Sequence, residues 1–111
     1  MEDFTEVIAE DEQCRVVVND NSDAHTYRVH SESYTCGVQF QRGPVTLNNP
    51  VNGVTSENLL AILIDRTWKL NNRFPCRENS LAITKMEEAL MWFEKRTANR
   101  KARGVEGKEV V

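Results

Sequence analysis

Three arginines recur on one side of a predicted helix near the C-terminal end of the sequence. Arg96, Arg100 and Arg103 follow one another at intervals of four and three residues, which places them on one helical face. A guanidinium group stays charged and donates paired hydrogen bonds, so this face suits phosphate groups. The preceding turns continue the same stripe with apolar residues, namely Ala82, Met86, Ala89, Leu90 and Phe93. The side of the helix that should face the core becomes basic at its end, which indicates an anion site.

A basic helix end also has a commoner explanation, because most such runs are solvated and complement the helix dipole. The helix before it favours a pocket between chains, since it is apolar on two sides and one partner helix cannot cover both. These sides are formed by Leu59, Ile62, Leu63 and Leu70, and nearly opposite them by Ala61, Ile64 and Trp68. The sequence therefore predicts a homo-oligomer in which the basic stripe meets a second chain or an anion.

The arginine stripe and the apolar residues of the preceding helix must be positioned by two antiparallel helices that are joined by a short turn. Thr55 is the predicted N-cap of the first helix, and Glu57 suits the positive end of its dipole. Pro75 keeps the turn extended. The predicted boundaries are Asn71–Asn72 for the end of the first helix, Arg77 or Asn79 for the start of the second, and Gly104 for the residue after its end.

The two predicted helices differ in length. At about 1.5 Å per residue, the second is about half as long again as the first, so its end must extend past the start of the first. This brings the Arg96 region beside a helix start, where free N–H groups and the Thr55 hydroxyl suit a phosphate. Without the arginines, an ordinary capped helix would be the simpler interpretation. This phosphate-binding site would be a second one, beside the anion site of the arginine stripe. Its candidate residues are Thr55, Asn52, Gly53 and Arg103.

The first half of the sequence has strand character. Strands are predicted at Cys14–Asn19, His25–His30 and Tyr34–Gln41, with turns at residues 20–23 and 31–33. The sequence therefore predicts an α+β fold, with a small N-terminal antiparallel β-meander followed by a long antiparallel two-helix hairpin. The predicted segments are an acidic mobile arm (1–13), the β-meander (14–43), a connector (44–54), the helical hairpin (55–103) and a C-terminal tail (104–111).

Charge is unevenly distributed along the 111 residues, whose formal net charge is −3. Residues 1–55 carry nine acids and three bases, whereas residues 56–111 carry eight acids and eleven bases. Such a division argues against coating by bulk nucleic acid and allows one focused anion site. Three cysteines without a secretory leader, and without an apolar run of membrane-spanning length, indicate a reducing cytosol and no membrane association.

Motifs for metal binding or catalysis are missing from the sequence. The cysteines and histidines lack the spacing of a zinc site, and the five glycines are too scattered to form a phosphate-cradling loop. Neither a nucleophile elbow nor a paired general acid and base is present. We therefore expect no cofactor, no metal and no enzymatic activity.

The hairpin carries several short motifs in a fixed order. They are Val51-Asn52-Gly53-Val54-Thr55-x-Glu57-x-Leu59-Leu60-Ala61-x-x-Ile64-Asp65-Arg66, then Phe74-Pro75-Cys76-Arg77-Glu78-Asn79, then Glu87-Glu88-Ala89-Leu90 with Arg96-Thr97, and finally Arg103-Gly104-Val105-Glu106-Gly107. These motifs cover about half of the chain. On them the sequence resembles the phage anti-defence sponge family, and its N-terminal strands are similar to the anti-Thoeris branch rather than the helical anti-CBASS branch.

The resemblance implies a function without catalysis. Anti-Thoeris sponges sequester cyclic ADP-ribose isomers and anti-CBASS sponges sequester cyclic oligonucleotides, in the cytoplasm of the infected bacterium. The family forms homo-oligomers, which are dimers and in some members hexamers. Polymeric nucleic acid is not an expected partner. The resemblance thus implies a protein that withholds a cyclic nucleotide signal from a host effector.

Such a ligand offers phosphates, ribose hydroxyls and a base. Arg96 and Arg100 are the candidates for the phosphates, while Trp68 or Phe74 are candidates for stacking on the base. Asn79 has both a donor and an acceptor for a base edge or a ribose. Arg42 and Arg77 are further candidates for the same ligand-binding site. As alternatives, the two aromatic residues belong to the core and Asn79 only caps the second helix.

Two other functional classes remain open at this point. A small oligomeric nucleic-acid-binding protein would use the basic end of the second helix, and its affinity would fall steeply with salt. An enzyme that cleaves the nucleotide would need an acid, a base or a nucleophile that the sequence does not supply.

Overall fold

The computed structural model describes residues 6–18 and 24–104, which fall into two compact units divided between Val54 and Thr55. The first unit contains four strands, β1 (Glu6–Glu10), β2 (Arg15–Val18), β3 (Thr26–His30) and β4 (Thr35–Gln39). The second contains two helices, α1 (Ser56–Arg73) and α2 (Arg77–Ala102). The α+β fold with a β-meander before a helical hairpin is therefore confirmed.

The strands form one antiparallel sheet in the order β1-β2-β3-β4. Its most buried residues are Val17 and Val18 of β2, as expected for β-branched side chains in a central strand. Tyr27 and Phe40 add an edge-to-face ring contact with centroids 5.8 Å apart. The turn predicted at residues 20–23 lies outside the described residues.

The acidic N-terminal segment needs a correction, because residues 6–10 form strand β1 rather than a mobile arm. The sequence of β1, EVIAE, has three apolar residues in a row between two glutamates, so it lacks the apolar alternation that would have predicted a strand. Its backbone pairs with β2, and Glu10 forms an ion pair with Arg15 at 2.9 Å. Carboxylates on an edge strand also oppose pairing with another sheet.

The start of α1 is capped as predicted. Thr55 Oγ1 accepts the N–H of Asn58 at 3.1 Å, and Asn58 Oδ1 accepts the N–H of Thr55 at 3.0 Å. This reciprocal pair satisfies two backbone donors at the helix entrance. Glu57 lies in the first turn of α1. At the far end of the hairpin, Gly104 follows the last turn of α2 with φ of 72°, a conformation that favours glycine.

The end of α1 differs from the prediction, since the helix continues through Asn71 and Asn72 to Arg73 and is capped by Phe74. The reason is that the Asn71 side chain forms hydrogen bonds with residues that follow α1 and does not end the helix. Asn71 Oδ1 accepts the N–H of Cys76 at 3.0 Å, and Nδ2 donates to Ser80 Oγ at 3.2 Å. Asn71 therefore connects α1 to both the turn and the first turns of α2.

The face of α1 that packs on α2 carries Glu57, Ile64 and Asn71, which are spaced by seven residues. Asn71 contacts Ser80, and Glu57 contacts Thr97. On α2 the least exposed positions follow a spacing of three, four or seven residues, as in a helical packing seam. These positions are Asn79, Ile83, Met86, Ala89, Leu90, Thr97 and Arg100.

This packing shows which of the two predicted apolar sides of α1 lies towards α2. Ile64 lies half-buried on the face towards α2, so it does not form an exposed patch with Ala61 and Trp68. Both apolar sides of α1 keep exposed members. On one side Ile62 is 61% and Leu63 47% exposed while Leu59 and Leu70 are half-buried, and on the other Trp68 is 49% exposed. Among the described residues, neither helix is long and apolar enough to cross a membrane.

Candidate functional site

The basic end of α2 lies beside the start of α1. Thr97 Oγ1 is 3.5 Å from Glu57 Oε2, which fixes the antiparallel register, and residues 98–102 continue past this contact. The predicted overhang of the second helix is therefore present. It carries Arg100, while Arg103 follows as the C-cap. The overhang projects positive side chains beyond the positive end of the α1 dipole, an arrangement that an anion would stabilise.

The arginines of this end differ in accessibility. Arg96 is exposed, so its guanidinium group is open to a ligand. Arg100 is only 7% exposed, and the residue makes an interaction within the chain. Arg103 is exposed and is also engaged within the chain. Arg96 is therefore the more accessible of the two predicted phosphate ligands on α2.

At the entrance of α1, the Thr55 hydroxyl oxygen is already used as an acceptor by Asn58. The hydroxyl proton can still be donated to an anion, because a hydroxyl group is donor and acceptor at once. The backbone N–H groups of Ser56 and Glu57 belong to the first turn, where no helical acceptor precedes them. The carboxylate of Glu57 opposes an anion at the same place, so the neighbouring cations must offset it.

The turn end of the hairpin presents a different set of groups. The Phe74 ring is 74% exposed and Trp68 is 49% exposed, so neither aromatic residue is a core residue. Arg77 is the first residue of α2 and is exposed, whereas Asn79 is half-buried in the same turn. This end therefore offers two ring faces, a cation and an amide.

Asn79 does not cap α2. The N-cap is Cys76, whose Sγ accepts the N–H of Asn79 at 3.4 Å. The Asn79 side chain is thus not required for the cap and can contact a ligand. A cysteine in this position gave no capping signal in the sequence, because Ser, Thr, Asp and Asn are the usual caps.

These two groups of candidate residues lie at opposite ends of the hairpin. Asn79 is in the first turn of α2 and Arg96 is near its last, so they are separated by about 25 Å along the helix axis. A ligand with one base and one pyrophosphate cannot span that distance. One chain therefore does not bring Asn79, Phe74 and Arg96 into one pocket.

The candidates before α1 have well-defined structural roles. Asn52 Oδ1 accepts the N–H of Arg42 at 2.8 Å, and its Nδ2 donates to the Arg42 carbonyl at 3.2 Å. Arg42 Nη2 donates to Thr26 Oγ1 at 3.1 Å. Gly53 packs so closely on the backbone of Phe40 that an added Cβ would lie 2.4 Å from its carbonyl carbon. Asn52 and Gly53 are therefore explained by packing, and their phosphate contacts stay a prediction.

One cavity, of about 630 Å³, lies at the end of the sheet where the β1–β2 and β3–β4 turns meet. Its lining includes Glu10, Asp11, Glu12 and Glu32, which makes it unsuitable for phosphates. Asp11 Oδ1 accepts the N–H groups of Gln13 and Cys14, each at 2.8 Å, and these bonds lower the pKa of Asp11. Within residues 6–18 and 24–104, no group of three or more His, Cys, Asp and Glu side chains is arranged to hold a metal ion.

A four-stranded sheet followed by a long capped hairpin, with a basic end and an aromatic end, defines a small α+β protein of the helical-hairpin class. The family model described as the Acb2/Tad1 hairpin domain matches residues 35–98, more than half of the chain. The chain belongs to this family, which confirms the resemblance found in the sequence. The match includes β4 and the connector, and ends before Arg100.

A relative, Thoeris anti-defense 1 of Bacillus phage SBSphiJ7, is 58% identical to the chain over 71 residues. The aligned segment covers 63% of this chain and 49% of the relative, so the chain spans about half the length of the curated relative it matches. Identity at this level predicts the same fold over the aligned residues.

Proposed function

We propose that the protein is a phage anti-defence sponge, which binds cyclic nucleotide immune signals in the cytoplasm of the infected bacterium and withholds them from host effectors. The ligands are cyclic ADP-ribose isomers, with CBASS cyclic oligonucleotides as a second class. The observation that carries the proposal is family membership over residues 35–98, together with the 58% identity to an anti-Thoeris protein.

The first site binds a cyclic ADP-ribose isomer through residues from both ends of the hairpin. Exposed Arg96 forms forked hydrogen bonds with the pyrophosphate, while buried Arg100 contributes positive charge to the site. Phe74 or Trp68 stacks on the adenine, and Asn79 hydrogen-bonds to the base or ribose. Arg42 and Arg77 are secondary candidates at this site.

Because the two ends are about 25 Å apart within one chain, this pocket requires a second chain. An antiparallel dimer of hairpins brings the turn end of one copy to the basic end of the other. The two-fold symmetry of such a dimer then generates two identical pockets. The exposed apolar residues of α1, among them Ile62 at 61% and Trp68 at 49% exposure, offer surface for such an association.

The second site binds the phosphates of a cyclic oligonucleotide at the entrance of α1. Thr55 donates its hydroxyl proton, and the first-turn N–H groups together with Arg103 complete the site. Asn52 and Gly53 position the backbone that leads into this helix. In hexamers, which some family members form, the site would recur at every α1 entrance.

The protein acts by binding and not by cleavage. Arginine side chains hold phosphates but cannot serve as bases, because a guanidinium group has only donors and no acceptor. A ligand held by Arg96 and Arg100 is thus retained without chemical change. Sequestration then requires only that the protein outnumbers the signal and releases it slowly.

The test combines binding with ligand recovery. A thermal-shift screen should show stabilisation by a cyclic ADP-ribose isomer, because a ligand that binds only the folded state raises apparent stability. Ligand incubated with excess protein and released by heat should return intact in chromatography. A product that accumulates with time would contradict sequestration, as would a panel of cyclic nucleotides without any stabilising member. A steep salt dependence with polymeric DNA or RNA would instead favour nucleic-acid binding.

A further inference from the structure

A large aromatic side chain lies on the outer face of α2. Trp92 is 60% exposed, so it contributes little to the packing of the two helices. It follows Leu90 of the packing seam by two residues, which is about 200° around the helix, and its side chain therefore points away from α1. Packing within the hairpin leaves this ring available to a ligand.

A lysine one turn further along α2 contacts the Trp92 ring. Lys95 Nζ lies over the ring at 5.1 Å from its centroid, which is a cation–π contact. The contact orients the ring, and the ring stays accessible because Trp92 is still 60% exposed. Trp92 is thus a preoriented aromatic surface with a positive charge beside it.

The charges around Trp92 differ on its two sides along the helix. Lys95 and Arg96 follow it by three and four residues, and side chains at these spacings are neighbours, with Cβ atoms about 5–6 Å apart. Both cations are exposed. The turn before Trp92 carries Glu88, which pairs with Lys85 at 4.0 Å. A ring followed by cations fits a nucleotide whose base stacks on the ring and whose phosphates lie beside the cations.

We infer that Trp92 is a base-stacking residue of the first site and acts in the same chain as the Arg96 that holds the pyrophosphate. The inference rests on the proposed function and adds a residue to its site. One helical turn, about 6 Å along the axis, separates Trp92 from Arg96, so one nucleotide can contact both. Phe74 of the same chain lies at the other end of the hairpin and cannot take this place.

The base has two faces, and this placement assigns them to different chains. Trp92 stacks on one face of the adenine, and Phe74 of the second chain stacks on the other. One chain therefore supplies the phosphate ligand Arg96 together with one ring, and its partner supplies the second ring. Changes at Trp92 and Arg96 damage the same half of the pocket, whereas a change at Phe74 damages the other half.

Calorimetry with a cyclic ADP-ribose isomer measures the contribution of the ring. Trp92→Ala should weaken binding by about tenfold or more, as expected for loss of a base-stacking side chain. Trp92→Phe keeps a ring and should retain most of the affinity. Met91→Ala is the matched control and should bind like wild type, since Met91 is 55% exposed but lies about 100° away around the helix. Ligand-free Trp92→Ala should melt at the wild-type temperature, which excludes a folding defect.

Fluorescence reports the stacking itself. The chain has two tryptophans, so Trp68→Phe leaves Trp92 as the single indole. Saturating ligand should quench its emission, because the base lies against the ring. Wild-type affinity of Trp92→Ala, or an unquenched Trp92 at saturating ligand, would overturn the inference and leave the proposed function in place. Absence of ligand heat with the wild-type protein would instead overturn both.

Mixing of variant subunits tests the assignment to one chain. Trp92→Ala mixed with Phe74→Ala should regain tight binding in part of the sites, because one pocket of a mixed dimer takes both defects and the other has none. Trp92→Ala mixed with Arg96→Ala should regain none, because each pocket then keeps one defect. Restored tight binding in this second mixture would overturn the placement of Trp92 and Arg96 in the same half of the pocket.

Discussion

The hydroxyl group of Thr97 lies 3.5 Å from Oε2 of Glu57 and aligns the last turns of α2 with the first turn of α1. This relationship decides which residues of α2 extend beyond α1. It places Arg96 one residue before the contact and leaves residues 98–102 past it. The basic end thus lies at the entrance of α1 and far from the turn that carries Phe74.

Arg96→Ala should weaken binding of a cyclic ADP-ribose isomer by about 1.5–3 kcal/mol, the usual range for hydrogen bonds to a charged group. Arg96→Lys should also weaken binding, because a point charge cannot replace the planar fork. Calorimetry measures both, with Lys85→Ala as the control, since Lys85 is an exposed cation on the same helix. Wild-type affinity in both Arg96 variants would remove this helix end from the site.

Mixing two defective variants tests the shared pocket. Phe74→Ala should lose about 1–3 kcal/mol of base stacking, and Arg96→Ala loses the phosphate contact. In a mixed dimer one of the two pockets has both defects and the other has none. Mixing should therefore restore tight binding to a fraction of the sites in calorimetry. No restoration after exchange of subunits would argue against a pocket that combines the two ends of different chains.

Thr55→Val should weaken binding of cyclic oligonucleotides and spare a cyclic ADP-ribose isomer, because only the second site uses the α1 entrance. The change also removes a helix cap, which costs about 1 kcal/mol of stability. Thr55→Ser keeps the hydroxyl group and separates the two effects. Equal affinity losses for both ligand classes would indicate one site or a general folding defect.

Asn71→Ala should destabilise the hairpin by about 1–2 kcal/mol, because the amide bonds to Cys76 and Ser80 are both lost. Denaturant unfolding measures the free energy. Asn72→Ala is the matched control, since Asn72 is exposed in the same turn of α1. If the turn also positions Phe74, Asn71→Ala should reduce affinity for a cyclic ADP-ribose isomer more than for a cyclic oligonucleotide. Equal unfolding free energies for the two variants would contradict a bridging role of Asn71.

The pKa of Asp11 is lowered by hydrogen bonds from the backbone N–H groups of Cys14 and Gln13. A carboxyl group with a lowered folded pKa stabilises the fold at pH values above its unfolded pKa, here 3.8. That contribution is lost as the pH falls through the lowered folded value. Asp11→Asn should therefore lower the melting temperature at neutral pH, and the difference from wild type should shrink in acid. Glu12→Gln is the control, and a difference that does not depend on pH would contradict this assignment.

Much of the fold followed from the sequence because its signals are local. The β-branched run around Val16–Val18, the Thr55 cap and Gly104 each act within a few residues. The family motifs likewise predicted the membership that the match over residues 35–98 confirms. Strand β1 was missed since its sequence, EVIAE, carries no apolar alternation, and its pairing with β2 is a tertiary event.

The sequence by itself determined the α+β order of elements, the capped hairpin and the family. Only the tertiary structure decided which faces and ends those elements present. Packing placed Ile64 towards α2 and left Ile62 exposed, and the Glu57–Thr97 contact separated the basic end from the aromatic end. The physical reason is that helical periodicity defines which residues share a face, while the register between two helices depends on contacts between residues far apart in the chain.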